Sequence, residues 1–451
     1  MHYFCFNLSQ NVYLPQKANC DDIIKLMQNY ARSVKFNILP SENENEIIIG
    51  EAERCELDGN EYGINVTENG IYIKGENYGG AIRGFMTLLE NIFCYGKGDY
   101  RVECMCLKES PKVKMRMVHI CVGPEKTFDF VKKVIKCCGV AKYTHIILES
   151  WGNLKFDTLK ELAWPQALTK TDWKELINCA KVFGMEVVPF FQHLGHASFC
   201  PLSKTGKHVV LEQNLELEYL YYPKSYGWIW NFKLDDTKKM LRSVREELIE
   251  LFEGCEYFHL GCDEAGLELD SKELCTFLNE VADELKAKGI KPIIWGDMLL
   301  CKDWFEREEK YECNSTHQYA NEMLEGLSKD IIVADWQYNT ASTPWKTSAV
   351  IKSKGFEVIC CPWDNLRNMD SAIDTAVSDE HLGIMETTWN HLLDSNGIVL
   401  MIRAGMMAYG GDSRVKTYNK DNVTERGHII LMKVSDKPNT YETSGWGICR
   451  L

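Results

Sequence analysis

The chain has 451 residues, 45% hydrophobic and 26% charged, which is the composition of a folded protein and not of a disordered one. Its 51 basic and 65 acidic side chains leave a formal charge of −14, with no long basic run. An acidic surface repels phosphate backbones and anionic lipid, which sets nucleic acid and membrane aside as partners. The length exceeds one average domain, so a large domain with a smaller companion is expected.

The first ten residues, Met1 to Gln10, carry no basic region followed by an apolar one, so no secretory signal is expected. No apolar stretch approaches the ~20 residues of a membrane span. The 19 cysteines are odd in number and scattered, as at Cys137-Cys138 and Cys360-Cys361. They read as small buried hydrophobes in a reducing cytoplasm. Nothing with ligand spacing follows Cys104-x-Cys106, so neither a structural metal nor a cofactor is expected.

Residues 1–111 read as a small α/β unit. Glu46–Gly50 is a short apolar strand. Tyr62, Ile64 and Val66 alternate with polar residues, Glu68-Asn69-Gly70 turns the chain, and Ile71 and Ile73 resume the alternation, a hairpin pattern. After Gly79-Gly80, Ile82, Phe85, Met86, Leu89, Ile92 and Phe93 fall at helical spacing. With no catalytic cluster, this is a packing module.

Residues 112–412 change rhythm. Eight short apolar runs alternate with helical patterns: Met117–Val122, His145–Leu148, Glu186–Phe191, Tyr257–Gly261, Pro292–Trp295, Ile331–Trp336, Glu357–Cys361 and Gly383–Thr387. They lack strict alternation, as strands buried on both faces should. The pattern predicts an α/β fold, a (β/α)8 TIM barrel preceded by the small α/β domain. An open doubly wound sheet fits less well, because no Gly-rich phosphate loop follows an early strand. Residues 413–451, rich in Lys, Asn and Thr, read as a polar appendage.

Barrel chemistry sits beyond the C-terminal ends of the strands. Arg116 precedes the first strand, and Glu149-Ser150-Trp151 closes the second. Gln192-His193-Leu194-Gly195-His196 follows the third, and Cys262-Asp263-Glu264 the fourth. Trp295-Gly296-Asp297 follows the fifth and Trp336-Gln337-Tyr338 the sixth. Trp363-Asp364 ends the seventh and Trp389-Asn390-His391 the eighth. Flat apolar rings around polar groups suit a sugar, with its C–H face and its hydroxyls. The bland reading is that these tryptophans cap the barrel core. Asp263-Glu264 is the carboxylate pair, and a buried acid beside a second carboxylate holds its proton at neutral pH. The alternative reading is that Asp263 caps the following helix and Glu264 is solvated. His193-x-x-His196 with His259 and Asp263 lacks any metal-binding pattern. The segment from Ala197 to Phe232 holds Tyr219, Tyr221, Tyr222, Tyr226, Trp228 and Trp230, and reads as either a lid or a packed hairpin.

At these residues the sequence resembles a known family. Phe258-His259-Leu260-Gly261-Cys262-Asp263-Glu264 is similar to the H-x-G-G-D-E signature of glycoside hydrolase family 20, the β-N-acetylhexosaminidases, with Cys262 at its second glycine. Val187 to His196 is similar to the family's third-strand segment ending P-G-H. Arg116 sits where the family's first-strand arginine sits, Trp295 and Trp336 match its aromatic strand ends, and Asn69 to Ile73 resembles its N-terminal domain. The resemblance implies a retaining, exo-acting hydrolase of terminal β-linked GlcNAc or GalNAc, in which the substrate's own 2-acetamido oxygen attacks the anomeric carbon. Its partner would be a small-molecule or oligosaccharide substrate ending in N-acetylhexosamine; self-assembly into a homo-oligomer stays open.

The implied roles fall on named positions. Asp263 orients the acetamide and Glu264 is the acid and base. Trp295, Trp336 and Trp389 wall the acetamido methyl. Arg116 hydrogen-bonds ring hydroxyls, with Glu149, His196 and Asp364 as further substrate-binding residues. The chain departs from the family after strands seven and eight. Either Tyr338 takes the role of the family's tyrosine or Trp363 replaces it, and Asn390-His391 stands where the family has x-Glu. Two other readings remain: a sugar-binding protein without hydrolysis, and a two-carboxylate glycosidase with Glu149 as nucleophile.

Overall fold

In the computed structural model, the residues described are 2–14, 20–39, 46–50, 55–198, 214–222, 227–266, 269–306, 310–389, 392, 395–410 and 420–435. All eight expected runs are strands: Met115–Cys121, His145–Glu149, Glu186–Phe190, Tyr257–His259, Lys291–Trp295, Ile332–Trp336, Val358–Cys361 and Gly383–Thr387. Each pairs in parallel with the next, and the last returns to the first in the register Met115↔Gly383 to His119↔Thr387, closing a barrel. A helix follows each strand, from Phe128–Val140 after the first to Ser395–Tyr409 after the eighth. Side-chain caps start several of them, including Thr127, Thr169 (a reciprocal capping box with Asp172), Asp270 and Thr316.

The barrel interior is a packed plug of its own, with Met117, Ile147, Val188, Ile293, Ile359 and Met385 among the inward side chains. The helices bury a second, larger apolar layer against the outer face. One seam is narrow. Strands three and four pair only at Phe190↔His259, and beyond that point the chains are joined by single contacts such as His193 N–H to the Leu260 carbonyl, 2.8 Å. That seam opens at the C-terminal end, where the paired carboxylates lie.

The N-terminal unit is a six-stranded mixed sheet in the order Lys35–Leu39, Ser9–Tyr13, Ile47–Gly50, Gly70–Gly75, Tyr62–Thr67, Met105–Glu109. The hairpin forms as expected, with Thr67↔Gly70 as its last pair, and the helix Tyr78–Glu90 packs on the sheet. The unit docks on the N-terminal end of the barrel. Tyr78 Oη donates to the Val182 carbonyl (2.7 Å), and Arg83 reaches the Gly184 carbonyl (3.1 Å). A cavity of about 900 Å³ lies along this junction, away from the strand C-termini.

The segment read as a polar appendage contains a helix, Lys420–Val434, whose Ile430, Leu431 and Val434 are buried against the barrel helices and against the helix Asp21–Tyr30. Its apolar residues are sparse, so composition alone reads as surface. Among the described residues no helix is long and apolar enough to cross a membrane.

Candidate active site

The fourth strand ends at His259, and the chain then turns sharply. Gly261 has φ +70°, and a Cβ there would lie 1.8 Å from Gln192 Oε1, so the turn needs glycine. Cys262 (φ +77°) and Glu264 (φ +47°) are also left-handed. The family signature has glycine at the position of Cys262, and the reason is backbone conformation more than crowding, since a side chain there costs about 1–2 kcal/mol. His196 (φ +54°) and Trp389 (φ +39°) share that conformation, so four of the eight non-glycine positive-φ residues described stand at this one end of the barrel. Such strain persists where the surroundings over-determine the backbone.

Asp263 and Glu264 diverge as neighbours should. Asp263 is buried, with Oδ1 3.1 Å from Gln192 Nε2 and Oδ2 3.2 Å from His196 Nε2. The Glu264 side chain is 46% exposed, with Oε2 3.2 Å from the same His196 nitrogen. One imidazole therefore spans both carboxylates, and only one of the two faces the open end. Trp228 packs on His196 (ring centroids 4.3 Å) and donates its indole N–H to the Glu264 carbonyl (2.8 Å). Gly195 lies against the Asp263 carbonyl, where a Cβ would come within 2.2 Å.

Asp297, at the end of the fifth strand, is the hub beneath the pair. Its Oδ2 accepts from the Glu264 backbone N–H (3.0 Å) and from Asn314 (2.9 Å), and its Oδ1 accepts from the Trp336 indole (3.1 Å). Burial, then the nearby Asp263 charge, push its carboxyl from the ordinary 3.8 up to about 7, against the pull of those three donors.

The tryptophans converge around Tyr338. Trp336 and Trp363 lie 5.0 and 5.1 Å from its ring, and Trp389 donates its indole N–H to the Tyr338 oxygen at 2.6 Å. Trp389 also meets Trp295 at 5.7 Å. Trp295 is fully buried between His259 and His119, deeper than a mouth residue, while Trp363 and Trp389 are half-buried and Asp364 is exposed. Burial lowers His259 to about 3, which keeps it neutral at physiological pH. Glu149 ends the second strand, buried, with Oε2 3.0 Å from His119 Nε2. Asn390 and His391 lie outside the described residues.

Arg116 belongs elsewhere. It is the second residue of its strand and so stands at the opposite end of the barrel from Asp263. Fully buried, it gives its N–H groups to the carbonyls of Lys142 (2.8 Å), Val113 (2.7 Å) and Lys114 (3.0 Å) and to Glu61 (3.3 Å) of the N-terminal unit. It is a strut between the two units and no ligand for ring hydroxyls. His193 is likewise structural, accepting from Arg245 (3.0 Å) and donating to the Phe191 carbonyl (2.7 Å).

The aromatic segment after strand three resolves in part. Tyr221–Tyr222 pairs with Ile229–Trp230, and Tyr221 stacks on the buried Trp230 at 4.6 Å, so this portion is a packed hairpin that also delivers Trp228 to His196. Tyr226 lies outside the described residues. Sequence reasoning missed Gln192, Asp297 and Asn314 as parts of the site, and gave Trp228 only as one of the aromatic residues of the lid-or-hairpin segment. Gln192 and Asp297 stood in strand-end segments, the signal that identifies them; Trp228 stood in an aromatic-rich segment, and Asn314 comes from a loop and carries none.

Comparison with known proteins follows the geometry. The model of the glycosyl hydrolase family 20 catalytic domain matches residues 140–402, more than half of the chain. Hexosaminidase D of Bos taurus is 26% identical over 204 residues, covering 41% of this chain and 56% of the relative. Hexosaminidase D of Homo sapiens is 21% identical over 327 residues, covering 66% and 64%. The chain thus spans under two thirds of the length of these relatives. Among solved structures, the family 20 exo-β-N-acetylglucosaminidase of Vibrio harveyi with N-acetylglucosamine superposes with a TM-score of 0.71 at 16% identity, over 96% of this chain and 75% of that one. The family 20 β-N-acetylhexosaminidase of Streptomyces coelicolor gives 0.69 at 15%, over 96% and 93%. At such identities the superpositions speak for the fold, and the family match for descent: the chain belongs to glycosyl hydrolase family 20.

Proposed function

We propose that the chain is a retaining, exo-acting β-N-acetylhexosaminidase that releases terminal GlcNAc or GalNAc through attack by the substrate's own acetamido oxygen, forming an oxazolinium intermediate. The observation that carries this reading is the division between the two carboxylates. Asp263 is buried and held on both oxygens, as suits a group that orients the acetamide and stabilises charge on its nitrogen. Glu264 is held by the backbone yet exposed, as suits an acid that protonates the leaving oxygen and then deprotonates water. Such acid–base assistance is worth ~10²–10⁴-fold, and an acetamide held in line adds a proximity gain.

In this reading Tyr338 hydrogen-bonds the reacting carbonyl oxygen, and Trp295, Trp336 and Trp389 enclose the acetamido methyl. Glu149 takes ring hydroxyls from below, and Trp363 and Asp364 meet the outer part of the sugar. His196 is a positioning residue that keeps the two carboxylates in register. The cytoplasm is the proposed compartment, supported by thiols buried singly in the core, such as Cys137, Cys179 and Cys275.

The test is a panel of nitrophenyl β-glycosides with and without the 2-acetamido group. The expected result is turnover of the acetamido sugars alone, with Asp263→Asn and Glu264→Gln each at least ~100-fold slower. Equal turnover of glucosides, or wild-type rates in both variants, would overturn the assignment.

A further inference from the structure

Directly under the tryptophan wall, three donors of different chemistry converge without being used by the proposed reaction as a set. His119 and Cys121 lie two residues apart on the first barrel strand and so face the same side, and Cys121 is paired in register with Glu149 on the second. All three are buried. His119 Nε2 is 3.0 Å from Glu149 Oε2, Cys121 Sγ is 3.6 Å from that oxygen, and the same sulfur is 3.7 Å from His119 Nε2. Tetrahedral zinc with ordinary Zn–N, Zn–O and Zn–S bonds requires edges of about 3.3, 3.6 and 3.6 Å between such atoms. An ion placed among them would reach bonding distance with shifts of a few tenths of an ångström.

We propose that His119, Cys121 and Glu149 form a binding site for a zinc-class divalent cation. A nitrogen, thiolate and carboxylate set suits a borderline metal and is poor for magnesium or calcium, which take oxygen donors. The imidazole is also under-used as a purely structural group: its Nδ1 is buried and meets no hydrogen-bond partner among the described residues. Binding releases the Cys121 thiol proton to solvent as the thiolate–metal bond forms. Three protein donors leave a fourth position for water or a ligand. The His119 ring lies 4.9 Å from Trp389 and 5.8 Å from Trp295, so the ion would sit at the floor of the proposed sugar pocket and would hold Glu149 down. Occupancy therefore inhibits hydrolysis, a consequence that rests on the function proposed above, while the binding itself does not.

The experiment titrates cobalt(II), a spectroscopic stand-in for zinc, into the full chain after chelator treatment. One equivalent should produce a thiolate-to-cobalt charge-transfer band that is lost in Cys121→Ser and in Cys121→Ala. Zinc should inhibit the wild type reversibly by chelator, and more than ~10-fold higher zinc should be needed in Cys121→Ser, whose activity without metal is unchanged. No band, or a band equally strong in both Cys121 variants, would overturn the site and leave a hydrogen-bonded triad only. A Cys121-dependent band in a chain that hydrolyses no glycoside would keep the metal site and sink the functional reading. Turnover without such a band would do the reverse.

Discussion

Replacing Asp297 by asparagine tests the hub of the site. The carboxylate accepts three hydrogen bonds, two on Oδ2 and one on Oδ1. Asparagine offers one acceptor oxygen. Turned toward Glu264 and Asn314, it keeps two bonds and aims its NH2 at the Trp336 indole N–H; turned the other way, it leaves two donors facing its NH2. The first orientation wins, so the variant loses one bond and leaves a buried indole donor unpaired, at about 1–3 kcal/mol. The wild-type group carries a second, pH-dependent cost. Its folded pKa of about 7 exceeds the ordinary 3.8, so the folded state binds the extra proton between those values. Stability is fully present below the lower value and falls as pH rises through the upper one, by about 1.4 kcal/mol per unit and on the order of 4 kcal/mol in all. Asparagine lacks this loss. Urea unfolding of both proteins should show Asp297→Asn less stable by about 1–3 kcal/mol near pH 4, with the gap shrinking by about 1.4 kcal/mol per pH unit above that and reversed by about pH 8. A gap independent of pH, or one that widens as pH rises, would mean that the three donors outweigh burial and hold the carboxylate ionised, and the reasoning would fail.

Two further outcomes follow from the geometry. Arg116→Met should leave three backbone carbonyls without their donor and Glu61 to Arg83 alone, costing about 1–3 kcal/mol for each unsatisfied carbonyl in unfolding experiments with KM unchanged in the surviving folded enzyme; a raised KM at normal stability would return Arg116 to the sugar site. Gly195→Ala should drive the Asp263 carbonyl away from its 2.2 Å approach. A displacement near 1 Å lowers kcat by ~10²-fold, measurable on an aryl glycoside, and a normal kcat would show that the contact relaxes without moving the carboxylate.

The barrel was legible because its strands are buried on both faces and stand out as apolar runs, and the N-terminal hairpin because its turn residues break a period-two pattern. Arg116 was misread because the family resemblance outweighed its place ahead of the first apolar run, which puts it at the opposite end of the barrel from the site. Met115–Cys121 begins one residue before Arg116, so only the far end of that strand reaches the site. Asp297 sat in plain view after Trp295, yet its role depends on a backbone N–H that lies 33 residues earlier. Asn314 and Trp228 arrive from loops whose sequence carries no period. The left-handed conformations of His196, Cys262, Glu264 and Trp389 were illegible for another reason: only a glycine advertises such a backbone, and none of these is glycine.

The helix Lys420–Val434 does more than cover apolar surface. Asn29 Nδ2 donates to the Lys433 carbonyl (2.7 Å), Lys433 Nζ donates back to the Asn29 carbonyl (2.8 Å), and the same ammonium lies 5.1 Å from the Tyr30 ring. These groups are 404 residues apart in sequence. Synthesis runs from the N-terminus, so the helix Asp21–Tyr30 waits with that face uncovered until the whole barrel has been made. The two units are therefore buckled together late, and folding of the first one is not complete until the barrel that it supports is finished.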